Sequence, residues 1–305
     1  MGQSAKRFDP DNYKPNQVPQ AFKVIAGQPS GDEGISLPRQ ASTAASSGHD
    51  SDVDLMTLIQ LPAIDLKKTV KFYVEVMGLA LDYPERPLEV NSFVSTVPRI
   101  GPGLHILQTP ASEFRPFELV LYAKSLQVLN GRLREAGVRI VSEPSNGYMS
   151  FLDPEGHMIG VYERADSAVN EKFQSNITGF RHMQMFVADV NRTADFFENA
   201  LGFQRDPSGQ SYVRVKEGSE NQPLIQLVQV REGAVRSMHW MLDGRPKHAL
   251  ELHSKNIEIL REKVIQNGGT MHEELEFTGC GGYLKFYTPD GHYIWVNQDR
   301  AYCDY

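Results

Sequence analysis

The chain has 305 residues, enough for two compact bodies with sizeable cores, and its 40% hydrophobic and 23% charged residues are ordinary values for a globular protein. A net charge of -7 leaves no basic excess to displace counterions from a nucleic-acid backbone, which argues against such a partner. Two unclustered cysteines, Cys280 and Cys303, indicate neither a disulfide framework nor a thiolate zinc site, and no run of about 18 apolar residues is present to span a bilayer. The start lacks a signal-peptide core, and Lys6 stands where a myristoylation signal wants Ser or Thr, so a cytoplasmic location without membrane attachment is expected.

Residues 1–52 are rich in Pro, Gly, Ser and Asp, ending ASTAASSGHDSD, and bury too little apolar surface to offset their ordering entropy. They read as a disordered tail. Structure is expected from about residue 53. A strand over 55–63 leads into a helix over 65–77, followed by three short strands ending near Thr109. The order recurs with strand FELVLYA (117–123), a helix carrying Leu126, Leu129 and Leu133, and strands near 138–142, 148–152 and 157–163. The last two are joined by the turn DPEG. After a linker of roughly 165–177 comes a strand (180–187), a helix (189–200) and strands up to LIQLVQV (224–230). HALELHS (248–254) then opens a last unit, with a helix bearing Ile257, Leu260 and Val264 and the closing strands of GGYLKFYTPDGHYIWVNQ.

The units repeat. An offset of 124 residues aligns Asp65 with Asp189 and Gly78 with Gly202, and an offset of 131 aligns Leu126, Leu129 and Leu133 with Ile257, Leu260 and Val264. One such unit cannot bury its own sheet face, so the units must pair. The expected class is α+β: four βαβββ units paired into two curved eight-stranded mixed sheets, divided as domains 53–165 and 178–299. The outer faces would take the helices and leave the inner faces free to hold ligands.

The Asp-capped helices ending FYVEVMGL and FFENALGF, with the closing DPEGHMIGVYE and TPDGHYIWVNQ, resemble the vicinal oxygen chelate superfamily. That superfamily includes glyoxalase I, extradiol dioxygenases and the bleomycin resistance proteins. The resemblance implies that metal ligands come from the first and last strands of paired units. Seven residues before the capping Asp189 stands His182, and the equivalent place in the next unit is taken as His248. Gln226 occupies a place where glyoxalase-like enzymes carry Glu, and Trp295 stands where a last carboxylate would be. In the first half the places read Leu58, Ile106, Glu118 and Gly160, which lack a metal set.

These residues set the expectations. His182 and His248 would share one cup in the C-terminal half and hold a divalent metal (Fe, Zn, Ni or Mn) with Gln226, or with Glu118 if units pair across halves. With a metal, the protein would be a lyase, an isomerase or a dioxygenase. Without one, it would be a binding module for an apolar or aromatic small molecule, or a dimerisation scaffold, as monomer or homodimer. Trp295, with His239 and Trp240 in the long stretch 231–247, would wall the ligand pocket, that stretch acting as a lid or a dimer contact. Cys280 reads as an inert thiol, and His157 and His292 as rim or packing groups.

Overall fold

Four times the chain runs from a strand into a capped helix and back through short strands, as the repeat predicts. The computed structural model describes residues 52–97, 101–207, 211–215, 222–231, 233–278 and 281–298; the tail expected over 1–52 lies outside them except at Asp52, as do Cys280 and Cys303. The first unit holds β1 (Val53–Ala63), α1 (Leu66–Lys71, continued by a π-helical turn Phe72–Val76), β2 (Ala80–Leu81), β3 (Asn91–Ser95) and β4 (Gly103–Gln108). The second holds β5 (Glu118–Ala123), α2 (Leu126–Glu135), β6 (Ile140–Ser145), β7 (Tyr148–Leu152) and β8 (Met158–Glu163), and a short α3 (Ser167–Glu171) follows in the expected linker. The third holds β9 (Ile177–Val187), α4 (Val190–Leu201), β10 (Gln204–Arg205), β11 (Tyr212–Arg214) and β12 (Leu224–Gln229). A ribbon of β13 (His239–Leu242) and β14 (Arg245–His248) precedes the fourth. That unit comprises β15 (Leu250–Ser254), α5 (Ile257–Gln266), β16 (Thr270–Met271), β17 (Glu276–Thr278), β18 (Gly281–Tyr287) and β19 (Tyr293–Asn297).

Local chemistry starts and stops the helices. The carboxylates of Asp65 and Asp189 accept the Lys68 and Arg192 N–H groups at 3.0 and 3.1 Å, satisfying donors that a first turn leaves open. Ser125 and Asn256 cap α2 and α5 in the same way. Gly202 closes α4 at φ 73°, and a Cβ there would collide with Asp52. Leu126, Leu129 and Leu133 of α2 and Ile257, Leu260 and Val264 of α5 are buried, so the helical period does supply the core faces.

The sheets join the two halves of the chain. One runs β16-β18-β19-β15-β1-β4-β3-β2, with β17 added on β18, and the other runs β10-β11-β12-β9-β5-β8-β7-β6. The first unit therefore pairs with the fourth and the second with the third, through antiparallel contacts β1–β15 and β5–β9. This corrects the consecutive pairing implied by 53–165 and 178–299: neither half closes a sheet by itself. Each unit offers the same open edge on its first strand, and the repeat alone does not say which other first strand fills it.

The recurring turns clasp units of one half that lie in different sheets. Glu155, in the turn before β8, accepts the Ile64 and Asp65 N–H groups at 2.9 Å each and the Thr69 hydroxyl at 2.8 Å, all in the first unit. His157 accepts the Phe117 N–H at Nδ1 (2.9 Å), so its Nε2–H donates to Pro62 O at 2.9 Å. In the other half Asp290 takes Arg192 at 2.6 Å and the Thr193 hydroxyl, and His292 accepts the Met238 N–H and donates to Phe186 O at 3.0 Å. His157 and His292 are fully buried structural groups. Glu155→Ala is expected to cost about 1–2 kcal/mol, the usual value of a lost helix cap. Urea denaturation checks this, and an unchanged midpoint would show that the carboxylate contributes nothing.

Candidate functional site

Strand alternation sorts the side chains of each sheet into a core face and a face turned away from the helices. In the first sheet Ile59, Leu61, Leu104, Ile106, Leu252, Ile294 and Val296 are buried in the core. The opposite face therefore carries Leu58 and Gln60 of β1, His105 of β4, Glu251 of β15, and Trp295 and Asn297 of β19. Gln60 lies beside His105 in the parallel β1–β4 register, and Glu251 lies beside Trp295. The sequence placed Ile106 at this position; it faces the core, and its neighbour His105 faces the cup. The alternation within GLHILQ was the signal for that.

Aromatic contacts build this first cup. His105 stacks on Phe93 with ring centres 4.0 Å apart and planes at 8°, and His248 stacks on Trp295 at 4.3 Å and 25°. Lys285 lies over the Trp295 ring at 4.6 Å and reaches Glu273 and Glu276 at 2.8 and 2.7 Å. Burial pushes the His105 imidazolium down to about 3, helped by the neighbouring His248 and Lys247 side chains. Burial also lowers His248, against the opposing pull of Glu251. Both rings are thus neutral near pH 7 and carry one donor and one acceptor each. The His248 Nε2 to Glu251 Oε2 separation of 3.4 Å is too long for a well-formed hydrogen bond. Both nitrogens of His105 and of His248, Gln60 Oε1, Trp295 Nε1 and Asn297 Oδ1 are buried without a partner in the protein.

The second cup belongs to the other sheet. Its core face holds Leu119, Leu121, Ile159, Val161, Met183 and Met185, so Glu118, Val120, Gly160 and Tyr162 look the other way. His182 sits between Val120 and Leu224 in register. A bulge in β9 opposite Val120 and Leu121 puts Arg181 on the same face as His182. The Arg181 Nη1 lies 2.6 Å from His182 Nδ1, and its guanidinium covers the Tyr162 ring at 4.2 Å. Burial, then Arg181, pushes His182 down to about 4, while a hydrogen bond to Gln226 pulls the other way. Over Gly160 stands the Tyr148 hydroxyl, 3.1 Å from where a Cβ would be.

His182 and His248 therefore do not share a cup. Cross-half pairing puts them in different sheets, and their contacts have nothing in common. The spacing rule also fails for His248: α5 is capped by Asn256, and seven residues earlier stands Ala249, which is in the core. His182, Gln226 and Glu118 are on one sheet face, as cross-half pairing requires.

These donors do not fit a metal ion. Both imidazole nitrogens of His182 are engaged, one by a permanent cation, and Gly160 supplies no ligand atom. Among the described residues, no three His, Cys, Asp or Glu side chains converge on a point that could hold one.

The ribbon β13–β14 fills much of the stretch 231–247. Trp240 is buried edge-on against Phe117 at 5.6 Å, and the Asp243 N–H reaches Glu113 at 3.1 Å, so the ribbon is tied to the second unit. Trp240 is an anchor that does not meet Trp295. His239 stands at the rim of the first cup, its ring 5.9 Å from Tyr287 and 6.2 Å from Tyr293.

Comparison with known proteins follows the same lines. Residues 179–296 match the sequence profile of the Glyoxalase/Bleomycin resistance protein/Dioxygenase superfamily. No curated protein sequence matches. A candidate dioxygenase from Bacillus subtilis aligns at a TM-score of 0.61 and 15% identity, over 82% of this chain and 86% of its own. Glyoxalase I from Zea mays aligns at 0.55 and 18% identity, over 80% and 92%. Among the described residues no helix is long and apolar enough to cross a membrane. Residues 179–296 thus carry the sequence pattern of the Glyoxalase/Bleomycin resistance protein/Dioxygenase superfamily, and the chain shares the fold of these two solved structures over about four fifths of its length.

Proposed function

We propose that the protein binds a flat, uncharged small molecule in the first cup, between β1, β4, β15 and β19. The observation that carries this reading is the set of seven buried polar atoms without partners there: four imidazole nitrogens, Gln60 Oε1, Trp295 Nε1 and Asn297 Oδ1. Leaving one such atom unsatisfied costs about 1–3 kcal/mol, so their concentration on one face is expensive unless a ligand completes them. The two neutral imidazoles backed by Phe93 and Trp295 present donors and acceptors alternately between aromatic walls. That chemistry suits a planar molecule with donors and acceptors along its edge. The fold's place among glyoxalases and dioxygenases supports a small-molecule role, and the donor sets favour binding through hydrogen bonds and stacking over metal chelation.

A second reading rests on Glu251. Its carboxylate, 3.4 Å from His248 Nε2, is placed to orient that ring as a general base once a ligand closes the gap, which would make the protein an isomerase or lyase.

Trp240 and Trp295 are the chain's two tryptophans, so Trp240→Phe leaves Trp295 as a reporter inside the cup. With uracil as a planar donor–acceptor probe, saturable quenching of Trp295 is expected, weakened about tenfold or more by His105→Phe or Asn297→Leu. Without ligand, His105→Phe is expected to raise stability by about 1 kcal/mol, because it removes two unsatisfied nitrogens. Quenching that survives both substitutions would place the ligand elsewhere.

A further inference from the structure

We infer that the second cup, on the sheet formed by β12, β9, β5 and β8, is a separate site for a small aromatic monocarboxylate, with Arg181 as its charge partner. The starting point is an unbalanced cation. Arg181 is half-buried, and among the described residues its contacts are the neutral His182 ring and the face of Tyr162, with no carboxylate. Its hydrogen bond to His182 uses one N–H and fixes the plane of the guanidinium, leaving other donors of the fork directed away from His182. A planar fork held in this way matches both oxygens of a carboxylate.

The walls supply the rest. Tyr148 and Tyr162 pack with ring centres 4.8 Å apart at 51°, and Tyr212 meets the His182 ring edge-on at 5.6 Å. Gly160 leaves the floor open for the Tyr148 ring, which covers the place where a ligand-bearing side chain would otherwise project. His182 accepts from Arg181 and donates to Gln226, so it positions the arginine and leaves anion binding to the guanidinium. Glu118 is the carboxylate on the same face, and its charge limits the cup to a single negative charge on the ligand.

Fluorine NMR of para-fluorobenzoate with the full-length protein, against the neutral para-fluorobenzamide, tests this. The benzoate is expected to bind at least about tenfold more tightly than the amide, and more weakly as salt is raised. Arg181→Met should abolish that preference, Arg181→Lys should retain part of it, and His105→Phe in the first cup should leave it unchanged. Near-identical circular dichroism and melting points would show that the variants fold. Equal binding of benzoate and benzamide, benzoate binding unaltered by Arg181→Met, loss of binding in His105→Phe, or no binding at millimolar concentration would each overturn the assignment. Because the first cup is probed with uracil, failure here leaves that reading standing, and the reverse also holds.

Discussion

Between about pH 7 and about pH 5 the protein is expected to lose at least about 5 kcal/mol of stability, slightly under 2 kcal/mol for each of His105, His182 and His292. His105 is held down to about 3, and His182 and His292 to about 4, in each case chiefly by burial. The unfolded chain protonates these rings near the ordinary value of about 6.5, while the folded chain keeps them neutral. Their contribution is therefore fully present above that value and is lost as pH falls towards 4, where the folded rings begin to accept protons. Asp153 works in the opposite sense, since burial raises its carboxyl. Urea midpoints measured across this range check the slope. His105→Phe removes one titrating group and should reduce the loss by slightly under about 2 kcal/mol; a curve as steep as the wild type's would show that His105 titrates normally.

Phe197→Ala is expected to be among the most damaging single truncations, costing about 3–5 kcal/mol. Phe197 is fully buried on α4 and meets Phe203 and Phe196 edge-on at 5.1 and 6.1 Å. Removing its ring leaves a hole between helix and sheet that neighbours on rigid elements cannot close. Calorimetry or urea denaturation gives the number, and a loss under 1 kcal/mol would mean that the site collapses around the smaller side chain. Secondary structure should survive, because the helix cap at Asp189 and the Gly202 stop are untouched.

The repeat, the helix faces and the capping residues were legible in the chain because they are local and periodic: Asp65, Asp189 and Gly202 act within four residues of themselves. The sheet pairing was not, because β1 presents the same edge to β5 or to β15. That single ambiguity moved His182 and His248 into different sheets. His105 was missed by one residue although Leu104 and Ile106 marked the core face on either side of it. Arg181 could not have been found, since only the bulge in β9 turns it to the side of His182. Trp295 lies on the face turned away from the helices, where it stacks on His248. Trp240 was misjudged because its partner Phe117 is far away in sequence.

Cross-half pairing also sets a timetable for biosynthesis. The hydroxyl of Thr57 on β1 hydrogen-bonds to Glu251 on β15, 194 residues later. At about 5–20 residues per second, a ribosome needs roughly 10 to 40 seconds to deliver that partner after β1 has emerged. Throughout that interval the nascent chain carries an unpaired apolar strand edge, and a neighbouring nascent copy offers the same complementary strand. Chains made side by side on one message can therefore exchange their final units and leave the polysome as interlocked pairs.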